Sequence, residues 1–216
     1  LSGVFYTAIA KYSGILISLI ITGVLARLIS PDKFGIVAVV TVITFFFSIF
    51  SDLGIGAAII QNKELQQKDL NQLFSFTVWS GCILTLLFFL CSWPISFFYK
   101  EPSMRTITQL LAINLFFASA NIVPNALLYK AKAFKFLAWR SLGVQITGGI
   151  IAILAALGGA GLYALIINPI LSSILLFIIS YQKYPQTLEM TWGIPSIRKI
   201  FKFSAYQFMF NIINYF

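Results

Sequence analysis

The sequence predicts an all-α fold, a polytopic membrane helix bundle, and three observations lead there. Apolar residues make up 59% of the 216-residue chain and charged residues only 10%, a composition no soluble domain could cover with water. The apolar runs approach or exceed the ~20 residues of a spanning helix, far beyond the ~10-residue alternating segments of a membrane barrel. The polar stretches between them are too short to hold a soluble domain.

Six spans follow in order. The first covers about Gly3 to Ile29, long enough to cross with a tilt, and a polar turn at Ser30-Pro31-Asp32-Lys33 ends it. The second, Phe34 to Ile60, is expected as one continuous helix with Asp52 well inside its length. A polar linker, Gln61 to Asp69, leads to a third span over Asn71 to Tyr99, with Trp79, Trp93 and Tyr99 as interface anchors and Pro94 as a kink. Lys100-Glu101-Pro102 makes the next turn. The fourth span runs from Ser103 to Leu128, with Pro124 near its end, and Tyr129 to Arg140 is expected as a basic, aromatic connector. The fifth, Ser141 to Leu157, turns at Gly158-Gly159-Ala160-Gly161 into the sixth, Leu162 to Tyr181, which contains Asn168-Pro169. After a polar stretch, Gln182 to Lys199, a seventh helix is expected from Ile200. Residues 1–197 are thus expected as a six-helix N-terminal lobe and 198–216 as the start of helix 7 in a second lobe. Both ends are abrupt: no basic n-region follows Leu1, and Ile212 to Phe216 stops in mid-helix. A fragment is the expectation.

The net charge of +9 follows membrane topology, so no nucleic-acid partner is expected. The loops after spans 2, 4 and 6 hold Lys63, Lys68, Lys130, Lys132, Lys135, Arg140, Lys183, Arg198, Lys199 and Lys202. The opposite side holds Arg27, Lys33, Lys100 and Arg105. The positive-inside bias then places the N-terminus and the even-numbered loops in the cytoplasm. Cys82 and Cys91 are nine apart on one helix and point to opposite sides at about 100° per residue, so two free thiols are expected. With no histidine in the chain, the commonest metal ligand and general base is missing, and no cofactor or metal is expected.

Polar residues within spans mark the faces turned to protein or water. On span 1, Lys11, Gly14, Ser18 and Thr22 share a stripe. On span 2, Thr41, Thr44, Ser48, Ser51 and Asp52 do, and on span 4, Asn114, Asn121 and Asn125. Ser, Thr and Gly in such stripes also serve plain helix contact. Three Asn on one face, with Lys11 and Asp52, point instead to a hydrated cavity. Its candidate residues are Lys11, Asp52, Ser18, Thr22, Thr44, Ser48, Asn114, Asn121 and Asn125. Lys11 and Asp52 each lie about 12 Å from the same membrane boundary at 1.5 Å per residue, so they are expected to share one site. Lys130, Lys132, Lys135 and Arg140, interleaved with Phe134, Phe136 and Trp139, are expected as a cytoplasmic rim at the headgroup level. That rim would anchor the chain to anionic lipid or capture substrate. Gly54-Ile55-Gly56 lacks the Gly, Lys and Ser or Thr that complete a nucleotide loop, and close helix packing explains it better. No catalytic constellation stands out, so the protein is not expected to be an enzyme.

Two stretches carry a family resemblance. Leu25-Ala26-Arg27-Leu28-Ile29-Ser30-Pro31-Asp32-Lys33-Phe34-Gly35 resembles the "LARLLSPEDFG" signature of Wzx-type polysaccharide-unit flippases, the lipopolysaccharide (teichuronic or colanic acid type) exporter branch of the multidrug/oligosaccharidyl-lipid/polysaccharide exporter superfamily. Ser51-Asp52-Leu53-Gly54-Ile55-Gly56-Ala57-Ala58-Ile59-Ile60-Gln61 is similar to the family's "SDLGLGAALIQ". Phe98 to Pro102, Val123 to Leu128 and Trp139-Arg140 fall where comparable elements occur. The resemblance implies two six-helix bundles, of which this chain would supply the first. It implies alternating-access movement of undecaprenyl-diphosphate-linked oligosaccharide across the bacterial cytoplasmic (inner) membrane, for surface polysaccharide biosynthesis. The lipid-linked oligosaccharide and membrane lipids are then the expected partners, with the polysaccharide polymerase machinery as a further one. A multidrug or cation antiporter of the same superfamily, a membrane-embedded glycosyltransferase or acyltransferase, and an assembly scaffold are the rival readings.

Overall fold

The computed structural model describes residues 2–52, 54–62 and 64–189, which form helices and turns without a strand. In order these are α1 (Ser2–Leu28), α2 (Pro31–Asp52), α3 (Ile55–Gln61), α4 (Gln67–Tyr99), α5 (Pro102–Ala120), α6 (Ile122–Lys130), α7 (Phe134–Leu157), a 3-10 turn (Gly161–Tyr163) and α8 (Ala164–Lys183). Five helices are long and apolar enough to cross a membrane, and α5 with α6, bent by 40°, makes a sixth candidate. The chain is a polytopic helix bundle. The expected seventh helix, with Arg198, Lys199 and Lys202, lies outside the described residues, as does Lys63.

Turn chemistry sets the expected boundaries. Pro31 opens α2 at the Ser30 turn. Lys100 ends α4 in the left-handed conformation at φ 54°, the Glu101 side chain accepts from the Ser103 amide, and Pro102 sits in the first turn of α5, where its missing N–H costs nothing. Gly159 and Gly161, at φ 85° and 55°, reverse the chain between α7 and α8. Cys82 and Cys91 are both free thiols.

Three elements differ from the sequence reading. The second span is interrupted: α2 ends at Asp52, and Gly54 takes φ 77° before α3 begins. Glycine enters that region without the clash a Cβ would meet. The fourth span bends at Asn121 because Pro124 has no N–H for the Ala120 carbonyl and its ring crowds that oxygen. The connector of residues 129–140 is not a separate element. Tyr129 and Lys130 finish α6, Lys132 reverses the chain at φ 54°, and Phe134 to Arg140 form the first turns of α7. In addition, α4 starts within the expected linker, at Gln67, and runs through Pro94 unbroken. A reciprocal box between Gln66 and Asp69 caps its start.

Packing divides into three apolar clusters. Val40 of α2, Phe88 of α4 and Met104, Ile107, Leu111 and Leu115 of α5 form one, at the end where α4 turns into α5. Ile21, Leu25 and Ile29 meet Ala152 of α7 and Ala164 of α8 in the second. There α1 approaches α7 so closely that a Cβ on Gly149 would run into Ile21. Small residues set such distances in membrane bundles, where water gives no drive to bury side chains. The third cluster joins the two short helices: Ile55, Ala58 and Ile59 of α3 pack with Val123, Ala126 and Leu127 of α6 against Leu70, Leu73 and Phe74 of α4. Outside the clusters, large apolar side chains such as Leu16, Leu19, Ile20, Leu86, Phe97 and Leu154 are exposed. That pattern fits a lipid-facing surface.

Candidate functional site

The polar groups gather at the two helix interruptions and at one end of the bundle. At the interruptions, Ser51 on the last turn of α2 and Ser119 on the last turn of α5 are buried and joined by a 2.9 Å hydrogen bond. A Cβ on Gly81 of α4 would strike Ser119, so the glycine admits this contact. One residue on, the Asp52 carboxylate accepts from the Gly56 amide at 3.1 Å, capping α3 from across the break. At the far ends of the two short helices, Lys130 donates to the Asn62 carbonyl at 2.7 Å. That bond satisfies a backbone group just beyond α3 and sets a cation at its negative dipole end. The interruptions are thus pinned above and below an apolar contact.

Asn62, Lys130 and Lys183 share one end of the bundle, its basic end. After α8 the chain turns back across α4 there. Gln67 donates to Gln186 at 3.0 Å, the Thr187 amide donates to the Asn71 side-chain oxygen at 3.2 Å, and the Glu189 amide donates to the Ser75 hydroxyl at 2.8 Å. Beside this strap, Arg140 of α7 is buried. It donates to the Ser180 hydroxyl of α8, and at 2.9 Å to the Asn125 side-chain oxygen of α6.

The candidate cavity residues scatter over this frame. Lys11, Ser18 and Thr22 lie exposed on α1, which packs chiefly on α7. The Thr44 and Ser48 hydroxyls donate within their own helix, to the Val40 and Phe45 carbonyls. Asn114 is half-buried on α5, and Asn121 sits at the bend with its side-chain oxygen buried and unpartnered. Among the described residues no ion pair joins Lys11 to Asp52: Asp52 bonds the Gly56 amide, and α2 packs chiefly on α5. In the rim set, Lys132 and Lys135 are exposed, Lys130 caps Asn62, and Arg140 turns inward. The structure therefore brings Asn125 and Arg140 together, two residues that sequence reasoning had assigned to different sites. It pairs Ser51 of the span 2 stripe with Ser119 and adds Ser180, and only knowledge of the helix neighbours could single out those two.

Comparison with known proteins adds the family. Residues 24–216 match the sequence profile described as "Polysaccharide biosynthesis protein". The chain belongs to that family. Among curated proteins, it is similar to an uncharacterized membrane protein in the cps region of Klebsiella pneumoniae, 23% identical over 97% of this chain and 44% of the relative. It is 28% identical to the lipopolysaccharide biosynthesis protein WzxC of Escherichia coli, over 70% of this chain and 30% of that protein. The teichuronic acid biosynthesis protein TuaB of Bacillus subtilis is 24% identical over 99% of this chain and 45% of its own length. The chain thus spans less than half the length of these curated relatives. No solved structure matches.

Asp52 tests how the interruption is held in this polysaccharide biosynthesis family member. Asp52→Asn keeps an acceptor for the Gly56 amide and should leave the thermal unfolding midpoint of the purified protein nearly unchanged. Asp52→Ala leaves that amide unpaired and should destabilise by about 1–2 kcal/mol. Equal damage from both substitutions would mean that the charge, not the cap, is what the protein uses.

Proposed function

We propose that this chain is the N-terminal lobe of a transporter that moves lipid-linked oligosaccharide units across the bacterial cytoplasmic membrane for surface polysaccharide assembly. The observation that carries the reading is the family match over residues 24–216 on a bundle of membrane-spanning length. A sugar chain and its diphosphate cannot enter hydrocarbon unaided, whereas the lipid tail can stay there. A lobe that rocks against a second lobe offers a polar path without breaking a covalent bond, so no enzymatic step is needed. The second lobe would come from the part of the family's length that this chain does not span. Lys11, Ser18 and Thr22, exposed on α1, form one wall of the path. The curated names of WzxC and TuaB support the substrate class.

Deleting the gene should leave lipid-linked sugar units accumulating in the inner leaflet and deplete surface polysaccharide, measured by leaflet-selective labelling of the lipid-linked pool. Normal surface polysaccharide with new drug sensitivity would instead point to an antiporter.

The orientation proposed is a cytoplasmic N-terminus with the basic end inside, by the excess of Lys and Arg there. Cysteines introduced at Lys132 and Lys135, both exposed, should react with an impermeant maleimide only in inverted vesicles. A cysteine at Lys100 should react only in intact cells stripped of outer barriers. The reverse pattern would invert the topology.

A further inference from the structure

Arg140 is the one charged side chain that is buried among the described residues, at 9% exposure. Its hydrogen-bond partners are two neutral oxygens, Ser180 Oγ and Asn125 Oδ1. The Ser180 hydroxyl gives its own proton to the Leu176 carbonyl, which turns a lone pair to the guanidinium. The Arg140 Nε is buried with no partner. The chain has six acids, Asp32, Asp52, Glu64, Asp69, Glu101 and Glu189, and residues 190–216 contain none. Asp52, Asp69 and Glu101 cap helices, and Glu189 accepts from Asn71 in the strap. A guanidinium removed from water without a counter-charge costs several kcal/mol, and neutral acceptors offset only part of that.

The depth of the site shows where an anion could come from. Asn125 lies five residues from the end of α6, Arg140 six from the start of α7 and Ser180 three from the end of α8. At ~1.5 Å per residue, all three are within about 10 Å of the helix ends, near the headgroup layer that flanks the hydrocarbon. Lys130, Lys132, Lys135 and Lys183 belong to the same end and raise the local concentration of anions. Guanidinium matches phosphate oxygens with paired N–H bonds, and here one N–H already lacks an acceptor.

We propose that Arg140, held by Asn125 and Ser180, is a binding site for one phosphate oxyanion of a membrane lipid at the basic end of the bundle. That phosphate belongs either to a phospholipid headgroup or to a lipid-linked diphosphate. Only the second source rests on the transport reading above.

The test is native mass spectrometry of the full-length protein in uncharged detergent, titrated with dioleoylphosphatidylglycerol, undecaprenyl diphosphate and, as a phosphate-free control, dioleoylglycerol. Wild-type protein should bind a phosphate-bearing lipid at least about tenfold more tightly than the control, the range of one or two charge-assisted hydrogen bonds. Arg140→Gln should abolish the preference. So should Asn125→Asp, which sets an internal carboxylate against the guanidinium at nearly unchanged volume. Asn125→Asp decides alone if Arg140→Gln does not fold. Equal loss for both phosphate lipids identifies a site that reads the phosphate whichever lipid carries it. Loss confined to undecaprenyl diphosphate identifies the lipid-linked diphosphate, and loss confined to phosphatidylglycerol supports the site while leaving the transport reading without its help. A phosphate preference that survives Asn125→Asp would overturn the proposal and leave Arg140 as a clamp between helices.

Discussion

The structure depends on how two adjacent helix breaks satisfy their backbone inside the protein. A helix that breaks away from water leaves amides and carbonyls unpaired, at about 1–3 kcal/mol each. Here the two breaks stand side by side and are treated together. Ser51 and Ser119 join the helices just before the breaks, Asp52 accepts from an orphaned amide, and Lys130 donates to a carbonyl beyond the short helix. Between those polar pins, α3 and α6 bury their apolar faces on each other and on α4. Neither short helix would hold alone at this length. Each is held because the other breaks at the same level.

This pairing divides the bundle by task. The contact of α4 with α5 and the cluster around Phe88 and Leu115 make a framework of ordinary apolar packing. The basic end collects the short helices, the strap over α4 and the Arg140 clamp, which ties α6, α7 and α8. By contrast, α1 has α7 as its main neighbour, with Gly14 accepting from Gln145 of α7, and leaves Lys11, Ser18 and Thr22 exposed. If the chain acts as the transporter lobe proposed, this arrangement leaves part of α1 open to a path while the interruptions stay closed within the protein.

Much of this was legible in the sequence where local chemistry decides. Ser30-Pro31, Glu101-Pro102 and the Gly158–Gly161 run marked turns because proline and glycine fix backbone angles without help from neighbours. The breaks were not. Gly54 lies in an apolar run that continues on both sides, and only the packing of α3 on α6 makes ending the helix there worthwhile. Pro124 gave a signal for the second bend, placed three residues from where its effect falls. The stripe of Asn114, Asn121 and Asn125 assumed a straight helix, and the 40° bend redirects Asn125 to Arg140. Arg140 itself resembled its lysine neighbours because sequence shows charge but not burial. Lys11 and Asp52 stand at matching depths, yet depth does not reveal which helices are adjacent, and α1 and α2 lean on different partners.

If the short helices form one pinned unit, the distance between them should be single-valued throughout the working cycle. The direct measurement is pulsed electron spin resonance between labels at Gln61 and Tyr129, both exposed, on the full-length protein in lipid nanodiscs. One narrow distance, unchanged when the proposed substrate, lipid-linked oligosaccharide, is added, is the expected result. A broad distribution, or a shift between two distances on adding substrate, would contradict a rigid pairing and make the interruptions hinges instead.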